Sequence, residues 1–157
     1  MKIVFVILSV FIFQTSLFAA DILSIPVIPD ESLTPGDFCS EDDRDFKEHR
    51  YAERMPYCSR NVNSNAKRRI YRQYQVNANC HHRYTIDHFV PLALGGNNDQ
   101  KNLWPEHVLV KATRQKLEQE LFMEVQKGNL SLDTAVEIII REKTQLELDL
   151  SHVEGCG

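Results

Sequence analysis

The chain has 157 residues, of which 43% are hydrophobic and 25% are charged, and its formal net charge at pH 7 is −4. This length suits a single domain, and this composition excludes a disordered chain, a collagen and a coiled coil. The presence of only one long apolar run excludes a polytopic membrane protein, and the negative charge, taken alone, argues against a nucleic-acid partner.

Residues 1–20 have the layout of a secretory signal peptide. Lys2 gives a short positive start, an apolar run follows, and Ala19-Ala20 provides small residues for cleavage. The apolar run is shorter than the ~20 residues that a membrane-spanning helix needs, so we favour cleavage over an uncleaved signal anchor. We therefore expect an exported protein, periplasmic or secreted, with no stable membrane association after cleavage.

Charge is distributed unevenly along the rest of the chain. Residues 21–43 contain seven acidic residues, no basic residue and three of the six prolines, which predicts an extended, partly mobile N-terminal arm. Residues 44–83 reverse the sign, with ten Lys or Arg against three acidic residues. Residues 84–157 contain seven basic and twelve acidic residues. The negative average therefore conceals a basic block in the middle of the chain.

Four cysteines follow the leader, and because an exported chain meets an oxidising compartment, we predict disulfides. We favour the pair Cys39–Cys58, whose members flank one compact segment. The pair Cys80–Cys156 would then tie the end of the chain to its centre. The alternative is a structural zinc site, although no C-x-x-C pair supports it. Its ligands would be Cys80, His81 or His82, His152 and Cys156.

The first predicted helix spans residues 65–76, with Ser64 as its N-cap. Ala66, Ile70 and Tyr74 recur at helical spacing and define its apolar face. The opposite face carries four basic side chains, Lys67, Arg68, Arg69 and Arg72.

A strand, a glycine turn, a short strand and a long helix follow in that order. The first strand is predicted at 84–90 from its β-branched and aromatic residues, and Gly95-Gly96 begins a strong turn signal. The short strand is predicted at 102–104 and the long helix at 106–127. Ser131 is predicted to cap a last helix, whose apolar side consists of Leu132, Ala135, Val136, Ile139 and Ile140.

Four side chains between Tyr84 and His107 can carry chemistry. Asp87 and His88 are adjacent at the end of the first strand, Asn102 comes after the glycine turn, and His107 lies at the start of the long helix. A hairpin would bring that helix end near Asp87, where a carboxylate and an imidazole can hold a divalent ion. A second imidazole, with an unperturbed pKa of roughly 6.5, can take a proton from water. These groups suit phosphodiester hydrolysis.

The run D-H-x-x-P-L-x-x-G-G-x-x-x-x-x-N-L-W-P, which begins at Asp87, resembles the HNH endonuclease motif in its Asp-His form. The resemblance implies a ββα-metal finger with flanking helices, in an α+β, mostly helical domain. That domain would cover residues 44–157, with its core motif in 83–127. The flanking segments are also similar to small exported bacterial proteins of the HNH type.

The resemblance also implies roles for the matching residues. His88 would be the general base, and Asp87 would bind the metal. Asn102 would hold the loop that bears His88 through backbone hydrogen bonds, or contact the metal. The third motif position falls on Val110 or Lys111, which cannot ligate a cation, so His107 is the expected second ligand, with Glu106 as a substitute. The expected ion is Mg²⁺, with Mn²⁺ and Zn²⁺ as alternatives.

A basic cluster is expected to bind the phosphate backbone, because such binding needs locally clustered Lys and Arg. A solvated helix face is the alternative interpretation of the same residues. We see no sequence-reading module, so we expect a monomeric endonuclease with little sequence specificity that favours DNA over RNA. The expected contact residues are Arg60, Lys67, Arg68, Arg69, Arg72, Arg83, Lys111 and Arg114.

Three other functions are compatible with the sequence. The chain could be a binding protein for nucleic acid or another anionic polymer, with a degenerate metal finger that does not cut. It could also be an exported structural or envelope protein. A toxin would share the nuclease chemistry and differ only in its target.

Overall fold

The computed structural model describes residues 28–145, so the predicted signal peptide, His152 and Cys156 lie outside the described residues. The described chain is an α+β fold with two small antiparallel sheets, which confirms the predicted mixture of helices and strands. The strands are β1 (Phe46–Arg50), β2 (Met55–Cys58), β3 (Tyr84–His88) and β4 (Leu103–His107). The α-helices are α1 (Ser64–Gln73), α2 (Val108–Ala112), α3 (Leu117–Gln126) and α4 (Leu132–Thr144).

The predicted hairpin is present, with β3 and β4 paired antiparallel. Tyr84 lies opposite His107, Asp87 opposite Trp104, and His88 opposite Leu103. Strand β4 is longer than predicted and runs through Pro105 to His107. A proline is tolerated there because each strand of a two-stranded sheet is an edge strand. The extra residues of β4 decide where His107 lies.

Helix α1 packs against one face of this hairpin. Its buried residues Ile70 and Tyr71 form a cluster with Tyr84, Ile86 and Leu103, which the strand alternation places on the same face. The helix begins one residue before the predicted start, since Asn63 rather than Ser64 is its cap. The Asn63 side-chain oxygen accepts from the N–H groups of residues 65 and 66, both at 3.0 Å.

The other face of the hairpin is covered by residues of α2 and α4. Trp104 is fully buried with Phe89 and Val110, and Ile140 packs against them. Helices α3 and α4 form a second cluster that includes Ala135 and Ile139. Ser131 caps α4 as predicted, with its hydroxyl oxygen accepting from the Thr134 N–H at 3.2 Å.

The single long helix predicted at 106–127 is wrong, because two helices separated by a turn occupy this range. Helix α2 ends at Ala112, and α3 begins at Leu117. The Thr113 hydroxyl donates to the Val110 carbonyl at 2.7 Å, a local bond that competes with continued helix. Arg114 then forms an ion pair with Glu106 at the end of β4.

The described part of the predicted N-terminal arm contains a turn at residues 30–34 and is attached to the β3–β4 hairpin. Thr34 Oγ1 donates to the Leu103 carbonyl at 3.0 Å, and the Gly36 N–H donates to the Lys101 carbonyl at 2.9 Å. The Cys39 N–H donates to the carbonyl of residue 95 at 2.8 Å. Residues 34–39 are therefore joined to the hairpin by three hydrogen bonds.

The sheet formed by β1 and β2 was not predicted. Strand β1 has the sequence FKEHR, which lacks apolar alternation, and the turn contains none of the usual turn residues. Two non-glycine residues provide its left-handed conformations, Tyr51 with a φ of 60° and Arg54 with a φ of 57°. Such positions are uncommon for these residue types, which explains why the pattern gave no turn signal.

The disulfide Cys39–Cys58 is present, with a Cα–Cα distance of 5.7 Å, which confirms the favoured pairing. It ties the arm to β2 and is consistent with an extracellular location. Cys80 is buried, and its predicted partner lies outside the described residues. Between residues 28 and 145, we find no helix with the length and apolar character needed to cross a bilayer.

Candidate active site

Asp87 and His88, adjacent at the end of β3, face different surroundings. Strand alternation puts Asp87 on the face of Trp104 and Glu106, and His88 on the face of Leu103. The two side chains are 8% and 3% exposed as residues, so both lie inside the protein. The end of β3 is therefore the meeting point of two separate polar clusters.

The His88 imidazole is held by two side chains. An Arg60 guanidinium nitrogen lies 3.1 Å from His88 Nδ1, and Asn98 Oδ1 lies 3.1 Å from His88 Nε2. Guanidinium nitrogens are donors only, so Nδ1 must accept and Nε2 must carry the proton. The orientation of the Asn98 amide agrees with this tautomer. Its nitrogen donates to Asp45 at 3.1 Å and to the Ser59 carbonyl at 2.8 Å, so its oxygen faces His88.

His88 is neutral at physiological pH. Burial lowers the pKa of His88 to about 4, and the positive charges of Arg60 and Lys143 act in the same direction. The hydrogen bond to Asn98 and the charge of Asp87 oppose this shift without cancelling it. A neutral imidazole is the form that can accept a proton.

Asn102 closes the loop that follows His88. Its Oδ1 accepts from the Val90 N–H at 2.8 Å, and its Nδ2 donates to the Val90 carbonyl at 3.0 Å and the Asn97 carbonyl at 2.9 Å. The Phe89 N–H donates to the Asn102 carbonyl at 2.8 Å. The sequence suggested two roles for Asn102, holding the loop or contacting a metal. These hydrogen bonds correspond to the first role.

The double glycine of the motif has a steric basis in the same loop. Gly95 has a φ of 92°, which favours glycine. A Cβ on Gly96 would lie 1.9 Å from the Val90 carbonyl oxygen and 2.7 Å from Asn102 Nδ2. Gly96 therefore allows the close approach through which Asn102 reaches the backbone.

On the opposite face, Asp87 and Glu106 share a cluster with three basic side chains. Lys111 Nζ lies 3.0 Å from Asp87 Oδ1 and 3.1 Å from Glu106 Oε2. Lys143 Nζ lies 3.3 Å from Asp87 Oδ2, and Arg114 forms an ion pair with Glu106. The two carboxylates are thus already neutralised by cations of the chain.

The two carboxyl groups respond differently to this cluster. Burial alone would raise the pKa of Asp87, but Lys143 and Lys111 hold it well below its usual range. Burial raises the pKa of Glu106 to about 7, and the nearby charge of Asp87 adds to the effect despite Lys111, Arg114 and Lys143. Asp87 is therefore ionised near neutral pH, whereas Glu106 is partly protonated.

His107, the expected second metal ligand, is not brought to Asp87. It lies opposite Tyr84, three residues along the ladder from the partner of Asp87, or roughly 10 Å away. Its Nδ1 accepts from the Leu109 N–H at 3.3 Å, and its Nε2 has no hydrogen-bond partner among the described residues. The pairing with Asp87 is wrong because β4 continues through His107, which places it at the far end of the hairpin.

The donor set does not fit the divalent ion that the motif implies. Both Asp87 oxygens contact lysine ammonium groups, and Lys111 falls at a position where the motif has a ligand. Within the described residues, the one group of three close metal-type donors is Cys39, Asp43 and Cys58. The two cysteine sulfurs of that group are bonded to each other, so they are not thiolate ligands.

The predicted basic residues separate into two sets. The four on α1 are exposed, and that helix packs on the hairpin face to which His88 belongs. Arg60 belongs to the same set because it contacts His88. Arg83 lies next to Tyr84, at the end of β3 that is far from His88. Lys111 and Arg114 instead contact the buried carboxylates, and the Arg114 side chain is only 8% exposed.

Two residues of the site were missed, Asn98 and Lys143. Asn98 stands in the glycine turn, where the sequence indicates only a bend. Lys143 could have been predicted from the sequence, because it follows Ala135 and Ile139 on the buried face of α4 at a spacing of four residues. A lysine on an apolar face indicates a buried partner of opposite charge.

No protein-family model, curated protein or solved structure matches the chain. The resemblance to HNH endonucleases rests on the motif from Asp87 to Pro105.

Proposed function

We propose that the protein is an exported endonuclease that hydrolyses phosphodiester bonds in nucleic acid, DNA in preference to RNA, with little sequence specificity. The observation that carries the proposal is the position of His88. It is a neutral imidazole at the end of strand β3, directly before the loop that Asn102 holds, and in contact with the guanidinium of Arg60.

In the proposed reaction, substrate releases His88 from Arg60. Arg60 is exposed as a residue, and a phosphate is a stronger partner for a guanidinium than a neutral imidazole nitrogen. When a phosphate takes Arg60, the lone pair of His88 Nδ1 becomes free beside the bound phosphate. The Nε2–H bond to Asn98 remains and keeps the ring in its orientation.

The freed Nδ1 then acts as a general base. It accepts a proton from a water molecule, whose oxygen forms a bond to phosphorus while the bond to the leaving oxygen breaks. The leaving oxygen takes a proton from solvent, and Arg60 stabilises the negative charge that develops on the phosphate. Because the donor set does not fit a divalent ion, no step of this reaction is assigned to the predicted Mg²⁺.

The exposed basic face of α1 would bind the phosphate backbone next to this site. The helix packs on the hairpin face to which His88 belongs, so a strand bound along it lies on the side of the imidazole. Lys and Arg side chains bind phosphates without regard to sequence, which agrees with a nonspecific enzyme.

A cleavage assay tests the proposal. Plasmid, single-stranded DNA and RNA are each incubated with the protein, with the variant His88→Ala and with His82→Ala. His82 is an exposed histidine six residues away, which makes its variant a matched control. We expect cleavage by the protein and by His82→Ala, and its loss in His88→Ala; folded protein without cleavage of any substrate would refute the proposal.

A second function, binding without cleavage, is favoured by one observation. Both His88 ring nitrogens and both Asp87 carboxylate oxygens are already engaged by neighbouring side chains. If these contacts persist with substrate, the protein would hold nucleic acid without cutting it. Retention of a labelled oligonucleotide with no cleavage would identify this function.

A further inference from the structure

We infer that the ammonium groups of Lys111 and Lys143 stand in the place of the divalent cation at the Asp87 end of the hairpin, so that this site works without a metal ion. The inference concerns the second polar cluster at the end of β3, next to the His88 site of the proposed function, and it rests on that function only for the cleavage assays in EDTA. Metal binding tests it directly.

Lys143 is the fixed cation of this site. Its side chain is completely buried, and its three ammonium protons have three acceptors, Asp87 Oδ2 at 3.3 Å, the His88 carbonyl at 2.7 Å and Glu118 Oε1 at 2.7 Å. A buried ammonium group is stable only with such a complete set of partners. Lys143 therefore cannot leave Asp87 to make room for a metal ion without losing its own partners.

Lys111 is the bridging cation. It falls within the third motif position, where a neutral ligand is expected, and its Nζ spans the two carboxylates at 3.0 and 3.1 Å. A divalent ion held by Asp87 and Glu106 would need the same space. The side chain is 45% exposed, so its positive charge also faces solvent.

The charge of the whole cluster agrees with this arrangement. Asp87, Glu106 and Glu118 face three cations, Lys111, Lys143 and Arg114. An added divalent ion would create excess positive charge among buried groups, where repulsion is weakly screened. The cations of the chain therefore already match or exceed the negative charge of the three carboxyl groups.

The test is a Mn²⁺ titration of the whole protein, followed by electron paramagnetic resonance. We expect the protein to show no saturable binding tighter than about 1 mM, the weak limit of biological cation sites. The variant Lys111→Asn removes the bridging charge and adds an amide oxygen, so we expect it to gain one site. Lys116→Asn changes an exposed lysine five residues away and should gain none.

Two results would overturn the inference: one tight Mn²⁺ site in the unchanged protein that is lost in Asp87→Asn, or no gain of binding in folded Lys111→Asn. Cleavage assays in EDTA distinguish the inference from the proposed function. Cleavage that survives EDTA supports the inference, and cleavage that needs Mg²⁺ or Mn²⁺ overturns it. If no substrate is cut under any condition, the proposed function fails and the titration still decides about the metal.

Discussion

Asn102 binds both backbone groups of Val90, accepting from its N–H at 2.8 Å and donating to its carbonyl at 3.0 Å. These two hydrogen bonds join Asn102, the residue before β4, to Val90 in the loop after β3. They therefore close the hairpin next to His88. Both residues are completely buried, so water cannot replace either bond.

The variant Asn102→Ala should therefore lose substantial stability. It leaves the Val90 N–H and carbonyl and the Asn97 carbonyl without this partner in a dry environment, which costs on the order of 3 kcal/mol. Urea denaturation measures the loss. Asn79→Ala, an exposed asparagine, is the control and should change the free energy of unfolding by less than about 0.5 kcal/mol. Equal losses in both variants would contradict the role given to Asn102.

The variant Gly96→Ala should be more harmful than Gly128→Ala. A Cβ at Gly96 would lie 1.9 Å from a backbone oxygen, whereas one at Gly128 meets nothing within 4 Å. Gly128 has a φ of 74°, so alanine there costs only the strain of a left-handed conformation, roughly 1–2 kcal/mol. We expect Gly96→Ala to lower the urea midpoint several times further, or to prevent folding. Similar midpoints for the two variants would show that the loop can relax.

Stability should respond to pH through two groups with opposite effects. The pKa of His88 is lowered to about 4, so its contribution is full above the unfolded value near 6.5 and is lost as pH falls toward 4. The pKa of Glu106 is raised to about 7, so its contribution is full below about 4.5 and is lost as pH rises toward 7. Between pH 4.5 and 6.5 the two slopes oppose each other.

Glu106→Gln should expose the His88 effect, because glutamine does not titrate. We expect the free energy of unfolding of this variant to rise more steeply with pH than that of the parent between pH 4.5 and 6.5. The His88 contribution corresponds to at most roughly 3 kcal/mol over its full range. Urea denaturation at a series of pH values measures both slopes, and an unchanged slope in the variant would mean that Glu106 is not protonated in the folded state.

Arg60→Ala separates two effects of Arg60, since the side chain both covers His88 Nδ1 and is proposed to bind the scissile phosphate. If the phosphate contact dominates, the variant should cleave single-stranded DNA on the order of a hundredfold more slowly. Arg60→Lys keeps the charge but loses the two-pronged geometry, so we expect an intermediate rate. Faster cleavage by Arg60→Ala would show that Arg60 only blocks the imidazole.

Local patterns predicted the last helix, α4, better than the candidate site. The cap at Ser131 and the apolar side of α4 depend on neighbours in sequence, and both were confirmed. The disulfide Cys39–Cys58 followed from export and spacing, and it is present. These features need no knowledge of tertiary contacts.

The site itself depends on register, which the sequence does not fix. Strand β4 continues three residues beyond its predicted end and so places His107 at the far end of the hairpin. The break after Ala112 turns Arg114 toward Glu106. Lys143 reaches Asp87 from 56 residues away, a contact that no local pattern specifies. The motif therefore predicted the backbone hydrogen bonds of Asn102 better than it predicted the groups around Asp87.

The most direct measurement of the central claim is the rate at which the purified protein cuts plasmid and single-stranded DNA, with His88→Ala and His82→Ala tested in parallel. The account predicts cleavage by the parent protein and by His82→Ala, and a loss of at least about a hundredfold in folded His88→Ala. Cleavage by His88→Ala at the parent rate would contradict the claim that His88 is the base.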